Sequence, residues 1–300
     1  MQVHFGLDGL LADWASSIAC IGVFDGVHLG HQAVIREAVS WSESIGSPAV
    51  LITFDRHPLA VLAPERCPQA VGTVRANLSE FERLGVSICV VLSFNEELRQ
   101  TSAEDFLRTC LIEGLRAKGA VVGQDFAFGR GREGTAEWLS SRIDTRVVPP
   151  LLLDGARVSS TAIRLAIGEG RVEDAARLLG RPFAFEGIVV EGEKVGRQLG
   201  FPTANLARSS DQVVPADGVY AGSCATPFGE FRAAISVGVR PTFDGRSRTI
   251  EAHLIDYPGT NLYGKPVVFR LESRLRAQER FDDGERLAEQ MKLDAEAARG

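Results

Sequence analysis

Between residue 19 and about residue 180, short apolar runs alternate with longer stretches whose apolar residues recur at helical spacing. The runs "ACIGVF" (19–24), "PAVLITF" (48–54), "SICVVLSF" (87–94) and "GAVVG" (119–123) read as strands. Between them, "HQAVIREAVSWSESI" (31–45), "VRANLSEFERLG" (74–85) and "SAEDFLRTCLIEGL" (102–115) read as helices, the last opened by a capping Ser102. Nearly continuous apolar strands spaced by amphipathic helices predict a parallel sheet covered on both faces.

The pattern then changes. "FEGIVVEGE" (185–193), "GVYAGSCA" (218–225), "FRAAISVGV" (231–239), "TIEAHLID" (249–256) and "KPVVFRLESRLR" (265–276) are strand-like and punctuated by Gly, Pro and Asp. No long helix intervenes before "GERLAEQMKLDAEAAR" (284–299), whose Leu287, Met291 and Ala295 form an apolar stripe suited to packing on a sheet. Short strands with frequent turns predict a small antiparallel barrel. The change falls near "GRPFAFEG" (180–187), which sets expected domains at 1–182 and 183–300.

Composition fits this picture. Three hundred residues exceed what one core commonly holds, and 45% hydrophobic with 24% charged residues is ordinary for a soluble globular chain. A net charge of -6 argues against binding nucleic acid or an anionic membrane, but allows a small anionic ligand. The first residues carry Asp8 and Asp13 and no basic segment, so they read as a poor signal peptide. The longest apolar stretches are strand-sized, too short for a membrane span. Five scattered cysteines without a CxxC pair predict free thiols in a reducing cytoplasm.

The candidate chemistry begins at "IGVFDGVHLGHQAVI" (21–35), a turn between a predicted strand and helix. Gly22 and Gly26 allow a tight exit from the strand, and the helix start offers N–H groups to an anion. At this spacing His28 and His31 can both face a phosphate, with Gly30 letting a substrate approach the backbone. By residue type alone, phosphate chemistry and a chance turn stand about even.

"GVFDGVHLGH" resembles the HxGH signature of the nucleotidylyltransferases, and "FDGVHLGHQ" resembles the bacterial bifunctional riboflavin kinase/FAD synthetase family. "TFDRHP" (53–58), "VVGQDFAFG" (121–129) and "SSTAIR" (159–164) are similar to that family's next motifs. "GRQLGFPTANL" (196–206), "GVYAG" (218–222), "VGVRPTF" (237–243), "IEAHLIDY" (250–257) and "LYG" (262–264) follow in its order. The resemblance implies a Rossmann-like domain that transfers AMP from ATP to FMN, then a barrel domain that phosphorylates riboflavin with ATP. It further implies Mg²⁺, a cytoplasmic location and a monomer or weak homo-oligomer.

For the first domain, the resemblance implies ATP contacts from Gly22, Phe24, Asp25, Gly26 and Gly30, with His28 and His31 at the α- and β-phosphates. Ser160, Thr161 and Arg164 grip the triphosphate, with help from Arg157; alternatively, Ser159, Ser160 or Thr161 simply caps a helix. Phe54, His57, Asp125 and Phe128 are implied on the flavin, with a structural turn the other reading of Asp125 and Phe128. An FMN phosphate is already ionised at neutral pH, so its attack needs no general base, only charge stabilisation and in-line placement.

In the second domain a neutral hydroxyl must lose its proton, and Glu251 matches the family's proposed base. Strand alternation puts Glu251, His253 and Ile255 on one face. Thr203 and Asn205 are hard oxygen donors for the metal and phosphates, or otherwise ordinary turn residues beside Pro202. Gly196 and Gly200 belong to a glycine-rich flap, "GEKVGRQLG" (192–200). Gln278 stands where the family commonly has glutamate, and no consequence for the chemistry is expected.

Two motifs mislead. "GRGREG" (129–134) fits GxGxxG, but "QDFAF" separates it from its strand, so it reads as a mobile Gly/Arg loop. "GTNLYGKP" (259–266) nearly spells a phosphate-binding P-loop, but Pro266 replaces the required hydroxyl and a strand follows. Two competing functions are a nucleotidylyltransferase for another phosphorylated acceptor, such as phosphopantetheine, and a flavin- or nucleotide-binding regulator.

Overall fold

The computed structural model describes residues 1–7, 14–193, 195–208, 211–242 and 245–300, with residues 195, 240–242 and 245–247 described for the backbone only. Asp8 and Asp13, Lys194 of the flap and Phe243 of "VGVRPTF" lie outside the described residues. By Cα proximity the chain forms two compact units, Met1–Ser160 and Thr161–Gly300.

In the first unit, β1 (Gln2–Phe5), β2 (Ser17–Ile21), β3 (Ala49–Phe54), β4 (Ile88–Leu92) and β5 (Ala117–Gly123) pair in parallel. A hairpin of β6 (Ala127–Phe128) and β7 (Gly134–Thr135) precedes β8 (Asp144–Val148), which completes a sheet of order β1-β4-β3-β2-β5-β8. The edge strands β1 and β8 were not among the predicted strands; both are short and largely exposed, so neither makes a strong apolar run. Alternate residues feed two cores. Ile18 and Cys20 of β2 pack with Ile35, Trp41 and Phe81 from the helices Leu29–Ser44 and Val74–Arg83. Ala19 and Ile21 pack on the other face with Phe106, Leu111 and Leu139. The helix that Ser102 caps, by accepting from the Asp105 N–H at 3.0 Å, widens into a π-helix over Phe106–Gly114.

Two local expectations are corrected, and one loop is placed in a hairpin. The first strand stops at Ile21, because Phe24 already has a φ of 49° and cannot extend it. The Gly/Arg stretch forms the turn of the β6–β7 hairpin: Arg130 N–H donates to the Thr101 carbonyl, and Gly129 packs where a Cβ would strike Ala103. It is no dinucleotide turn. Thr203–Arg208 is a strand, not a turn, because two neighbours pair with it.

After a small hairpin of β9 (Leu152–Leu153) and β10 (Ala156–Arg157) come the helices Ser160–Gly168 and Val172–Leu179. The second unit then closes β11 (Phe183–Val190), β12 (Thr203–Arg208), β13 (Gly218–Thr226), β14 (Gly229–Thr242), β15 (Gly245–Leu254) and β16 (Pro266–Ala277) into an antiparallel barrel of order β11-β12-β15-β14-β13-β16. Along β11 buried and less buried residues alternate from Phe183, as a barrel wall requires. The helix Val172–Leu179 packs on β16, where Glu173 accepts the Arg274 N–H at 2.9 Å. This is why the compact units divide before these helices.

The C-terminal helix Gly284–Arg299 lies on β13 and β14. Its buried Asp294 accepts two hydrogen bonds from Arg276 at 2.9 and 2.7 Å, and Ala298 packs with Ala221, Ala234 and Ile255. Leu287, Met291 and Ala295 are half-buried, so the expected stripe is the edge of this contact. All five cysteines are free thiols. Burial pushes the thiols of Cys89 and Cys110 up to about 12, which keeps them protonated and inert.

Barrel closure depends on close backbone approach at Gly222, where an added Cβ would lie 1.9 Å from the Arg270 carbonyl oxygen. Gly222→Ala should destabilise the barrel unit by about 1–3 kcal/mol, read by urea unfolding. An unchanged midpoint would show that the β13–β16 pairing can open without cost.

Candidate active sites

The carboxyl end of β2 lies between β3 and β5, where the strand order reverses, the place where open parallel sheets gather ligands. The loop that follows is strained: Phe24 (φ 49°) and Val27 (φ 43°) lie in the left-handed region, which a β-branched residue rarely enters. Surrounding bonds hold it. The buried Asp25 carboxylate accepts from the Val71 N–H at 2.9 and 3.0 Å and from the Gly72 N–H at 3.1 Å. Ser160 Oγ donates to the Asp25 carbonyl at 3.0 Å, and Gln32 Nε2 to the Val27 carbonyl at 3.0 Å. Asp25 therefore shapes the loop with its side chain.

His28 caps the helix Leu29–Ser44: its Nδ1 accepts from the His31 N–H at 3.1 Å. In the neutral ring the proton then sits on Nε2, a donor. The rings of His28 and His31 stack 3.5 Å apart at 17°. An added Cβ at Gly30 would lie 3.1 Å from the His28 ring, so Gly30 makes room for that ring. Gly22 does the same for the Phe24 ring, whose edge meets His31. Burial, then the neighbouring His28, hold the His31 imidazole well below the ordinary histidine range. Its Nδ1 is buried without a hydrogen-bond partner among the described residues. Both rings can therefore be neutral and each still carry one N–H donor, which in His28 is Nε2.

The other expected residues of this unit fall into separate groups. Asp125 and Arg157 form an exposed ion pair with each other. Phe128 stacks on Phe126 and meets Phe106 and Trp138 edge-on, a structural cluster. Phe54 meets Phe94 edge-on, and His57 Nδ1 accepts the Leu59 N–H at 3.1 Å, where a short helix begins. Thr161 and Arg164 fall in the second unit, on the helix that begins at Ser160, with Thr161 exposed and Arg164 half-buried.

The barrel site is set by register. Thr203 lies opposite His253, and Asn205 opposite Glu251. Thr203 Oγ1 donates to Glu251 Oε2 at 3.2 Å. Two cavities open here. The larger, about 900 Å³, is lined by Gly192, Gly200, Thr203, Asn205, His253 and the segment Tyr257–Tyr263 among others. The smaller, about 320 Å³, is lined by Gly196, Thr203, Ser236, Glu251, His253 and Gln278 among others. Thr203 and His253 belong to both walls. Asn205 leans over Gly192, where an added Cβ would strike its amide.

The hydroxyl of Thr203 and the amide oxygen of Asn205, two positions apart on one strand, suit a hard divalent cation that takes its remaining oxygens from phosphates and water. Among the described residues no group of three or more His, Cys, Asp or Glu could hold a metal without such help. The "GTNLYGKP" segment is indeed no P-loop, since it runs into β16, yet it lines the larger cavity. Gln278, expected to be without consequence, stands in the smaller cavity's wall 3.5 Å from Ser236 Oγ. His253 was read only as a face-mate of Glu251; its mid-strand position carries no signal of a place between two cavities.

Comparison with known proteins covers both units. The FAD synthetase family model matches residues 11–162, and the riboflavin kinase model matches residues 179–300. A protein of Pseudomonas fluorescens named bifunctional riboflavin kinase/FMN adenylyltransferase is 35% identical over 305 residues, spanning 100% of this chain and 97% of its own. A protein of the same name from Bacillus subtilis is 34% identical, spanning 95% of this chain and 92% of its own. A crystal structure of a macrolide-efflux protein from Streptococcus pneumoniae superposes with a TM-score of 0.92 at 31% identity, covering 100% of this chain and 99% of that one. Efflux is said of that protein; among the described residues here, no helix is long and apolar enough to cross a membrane.

Two measurements check the histidine pair. His28→Ala removes the helix cap and should cost about 1 kcal/mol in urea unfolding, whereas His28→Asn, a good N-cap, should keep most of that stability. Equal losses would refute the capping role. His31 also makes stability depend on pH. Its folded value lies below the ordinary 6.5, so the unfolded chain takes up its proton first as pH falls. The contribution is full above 6.5 and is lost progressively below it. In His31→Gln, unfolding at stepped pH should show a shallower acid slope; an unchanged slope would place the titration elsewhere.

Proposed function

This chain belongs to the bifunctional riboflavin kinase/FMN adenylyltransferase family, and from that premise we propose how its residues divide two ATP-dependent reactions. The barrel half phosphorylates riboflavin to FMN, and the parallel-sheet half adenylylates FMN to FAD with release of pyrophosphate. We draw the functional boundary at residues 182/183, where the kinase barrel's first strand begins.

The observation that carries the kinase assignment is the Thr203–Glu251 hydrogen bond at the junction of the two cavities. The larger cavity takes ATP, with Gly200 in its wall, and the smaller takes riboflavin, with its 5′-hydroxyl at Glu251. Glu251 accepts the hydroxyl proton as the oxygen attacks the γ-phosphorus. Thr203 Oγ1 and Asn205 Oδ1 would hold the divalent cation, Mg²⁺ in our reading, which when bound neutralises phosphate charge. The flap carrying Gly196 and Gly200 borders both cavities and excludes water during transfer.

In the sheet half, the FMN phosphate attacks the α-phosphorus of ATP without a base. His28 Nε2–H and the helix start behind it stabilise charge on the phosphate oxygens. His31, neutral and stacked on His28, fixes that ring's plane and avoids a second charge beside it. The motif of Ser160, Thr161 and Arg164 supplies hydroxyl and guanidinium donors to the triphosphate. Arg157 and Asp125, paired with each other here, separate when nucleotide and flavin bind. Phe54, His57 and Phe128 border the flavin, positioned by the contacts described above. The working unit in this reading is a monomer or weak homo-oligomer, as the family resemblance implies. The free thiols fit a reducing cytoplasm.

Purified protein given riboflavin, ATP and Mg²⁺ should form FMN first and FAD second, resolved by chromatography. Glu251→Gln should slow FMN formation by about 100-fold or more while leaving FAD formation from supplied FMN intact. His28→Asn should do the reverse. A single variant that stops both steps equally would refute the division of labour.

A further inference from the structure

His253 lies on β15 directly opposite Thr203 of β12, and the two side chains share the wall of both cavities. Its Nδ1 stands 3.0 Å from the Pro202 carbonyl oxygen. A carbonyl only accepts, so Nδ1 carries the proton of the neutral ring. The ring of Phe201 meets the imidazole edge-on at 5.3 Å and 72°. Phe201 N–H in turn donates to the Gly196 carbonyl at 2.7 Å, at the flap helix Val195–Gln198. His253 therefore holds two consecutive residues where the flap turns into β12. Pro202 has no N–H, so its carbonyl is the one backbone group by which that residue can be hydrogen-bonded. The next residue is Thr203.

Resting on the kinase reading above, we propose that His253 is a positioning residue for phosphoryl transfer. Its Nδ1–H clamps the Pro202 carbonyl and its ring braces Phe201, which sets the direction in which Thr203 and Asn205 enter the larger cavity. The transferred group must pass the wall that Thr203 and His253 share, and there a displacement of about 1 Å costs on the order of 100-fold in rate. The role concerns the ring nitrogen facing Pro202, and His253 itself takes no proton from the substrate.

The test uses the full chain with His253→Asn, His253→Gln and His253→Phe. Asparagine places an amide N–H near the position of Nδ1. Glutamine reaches toward the position of Nε2 and offers nothing to Pro202, and phenylalanine keeps only the ring. His253→Phe and His253→Gln should lower kcat for FMN formation by about 10- to 100-fold and raise KM for ATP more than KM for riboflavin. His253→Asn should recover most of that loss. FAD formation from supplied FMN should stay at the wild-type rate in all three, which confirms a folded chain. Nitrogen-15 NMR of the labelled histidines in wild-type protein, in mildly alkaline buffer, should show His253 as the Nδ1–H tautomer. An Nε2–H tautomer, a His253→Gln variant at wild-type rate, or a His253→Asn variant as slow as His253→Phe would overturn the proposal. Wild-type protein that forms no FMN would overturn the kinase reading itself, whatever the tautomer, and the positioning role with it.

Discussion

Backbone pairing between strands is the constraint on which both sites depend. In the first unit, β2 pairs with β3 on one side and β5 on the other, so the loop leaving it opens at the reversal of strand order. In the second, the β12–β15 ladder sets Thr203 against His253 and Asn205 against Glu251. A slip of one residue would turn Glu251 into the barrel interior, where Ala252 and Leu254 now lie buried, and send those apolar side chains outward. The same ladder that holds the fold therefore decides which side chains can reach a substrate.

The two sites answer different chemical demands with different materials. Adenylyl transfer to an ionised phosphate needs donors in a dry, fixed place. In the proposed reading the sheet unit meets this with a strained loop, a helix start and two stacked imidazoles, of which burial lowers the pKa of His31. Phosphoryl transfer to a hydroxyl needs an acceptor for a proton as well. In the proposed reading that acceptor is Glu251, on an outward face of the barrel and already hydrogen-bonded to a hydroxyl that also borders the larger cavity. Neither arrangement asks much of flexible surface groups, since ladder pairing or capping bonds hold the main chain beneath each one.

The C-terminal helix links fold to site in the barrel unit. The Arg276–Asp294 pair ties it to β16, and the small Ala298 contact seats it on β13 and β14. Its exposed side brings Lys292 and Arg299 to the larger cavity, and its inner side brings Leu287 and Met291 to the smaller. A helix that reads in sequence as a cover for the sheet is also a wall of both cavities.

Much of this was legible in the residues themselves. Apolar runs marked the four inner strands of the sheet, because strands buried on both faces have no polar side to show. Turn residues and alternation marked five of the six barrel strands, and ordered motifs marked both activities. The edge strands β1 and β8 stayed hidden, since solvent on their surface removes the apolar signal, and β12 stayed hidden behind Pro202. The contacts of Asp25, Gly30 and His253 became visible only in three dimensions. The partners of Asp25 and His253 lie 46 and 51 residues away, and no local pattern encodes a bond across such a distance. Sequence by itself determined which elements form and which chemical groups are present, because propensity and periodicity act over a few neighbouring residues. Tertiary structure alone decided which nitrogen of each histidine is committed, which carboxylate shapes a loop and which faces a cavity, because those depend on burial and on partners brought together by the fold.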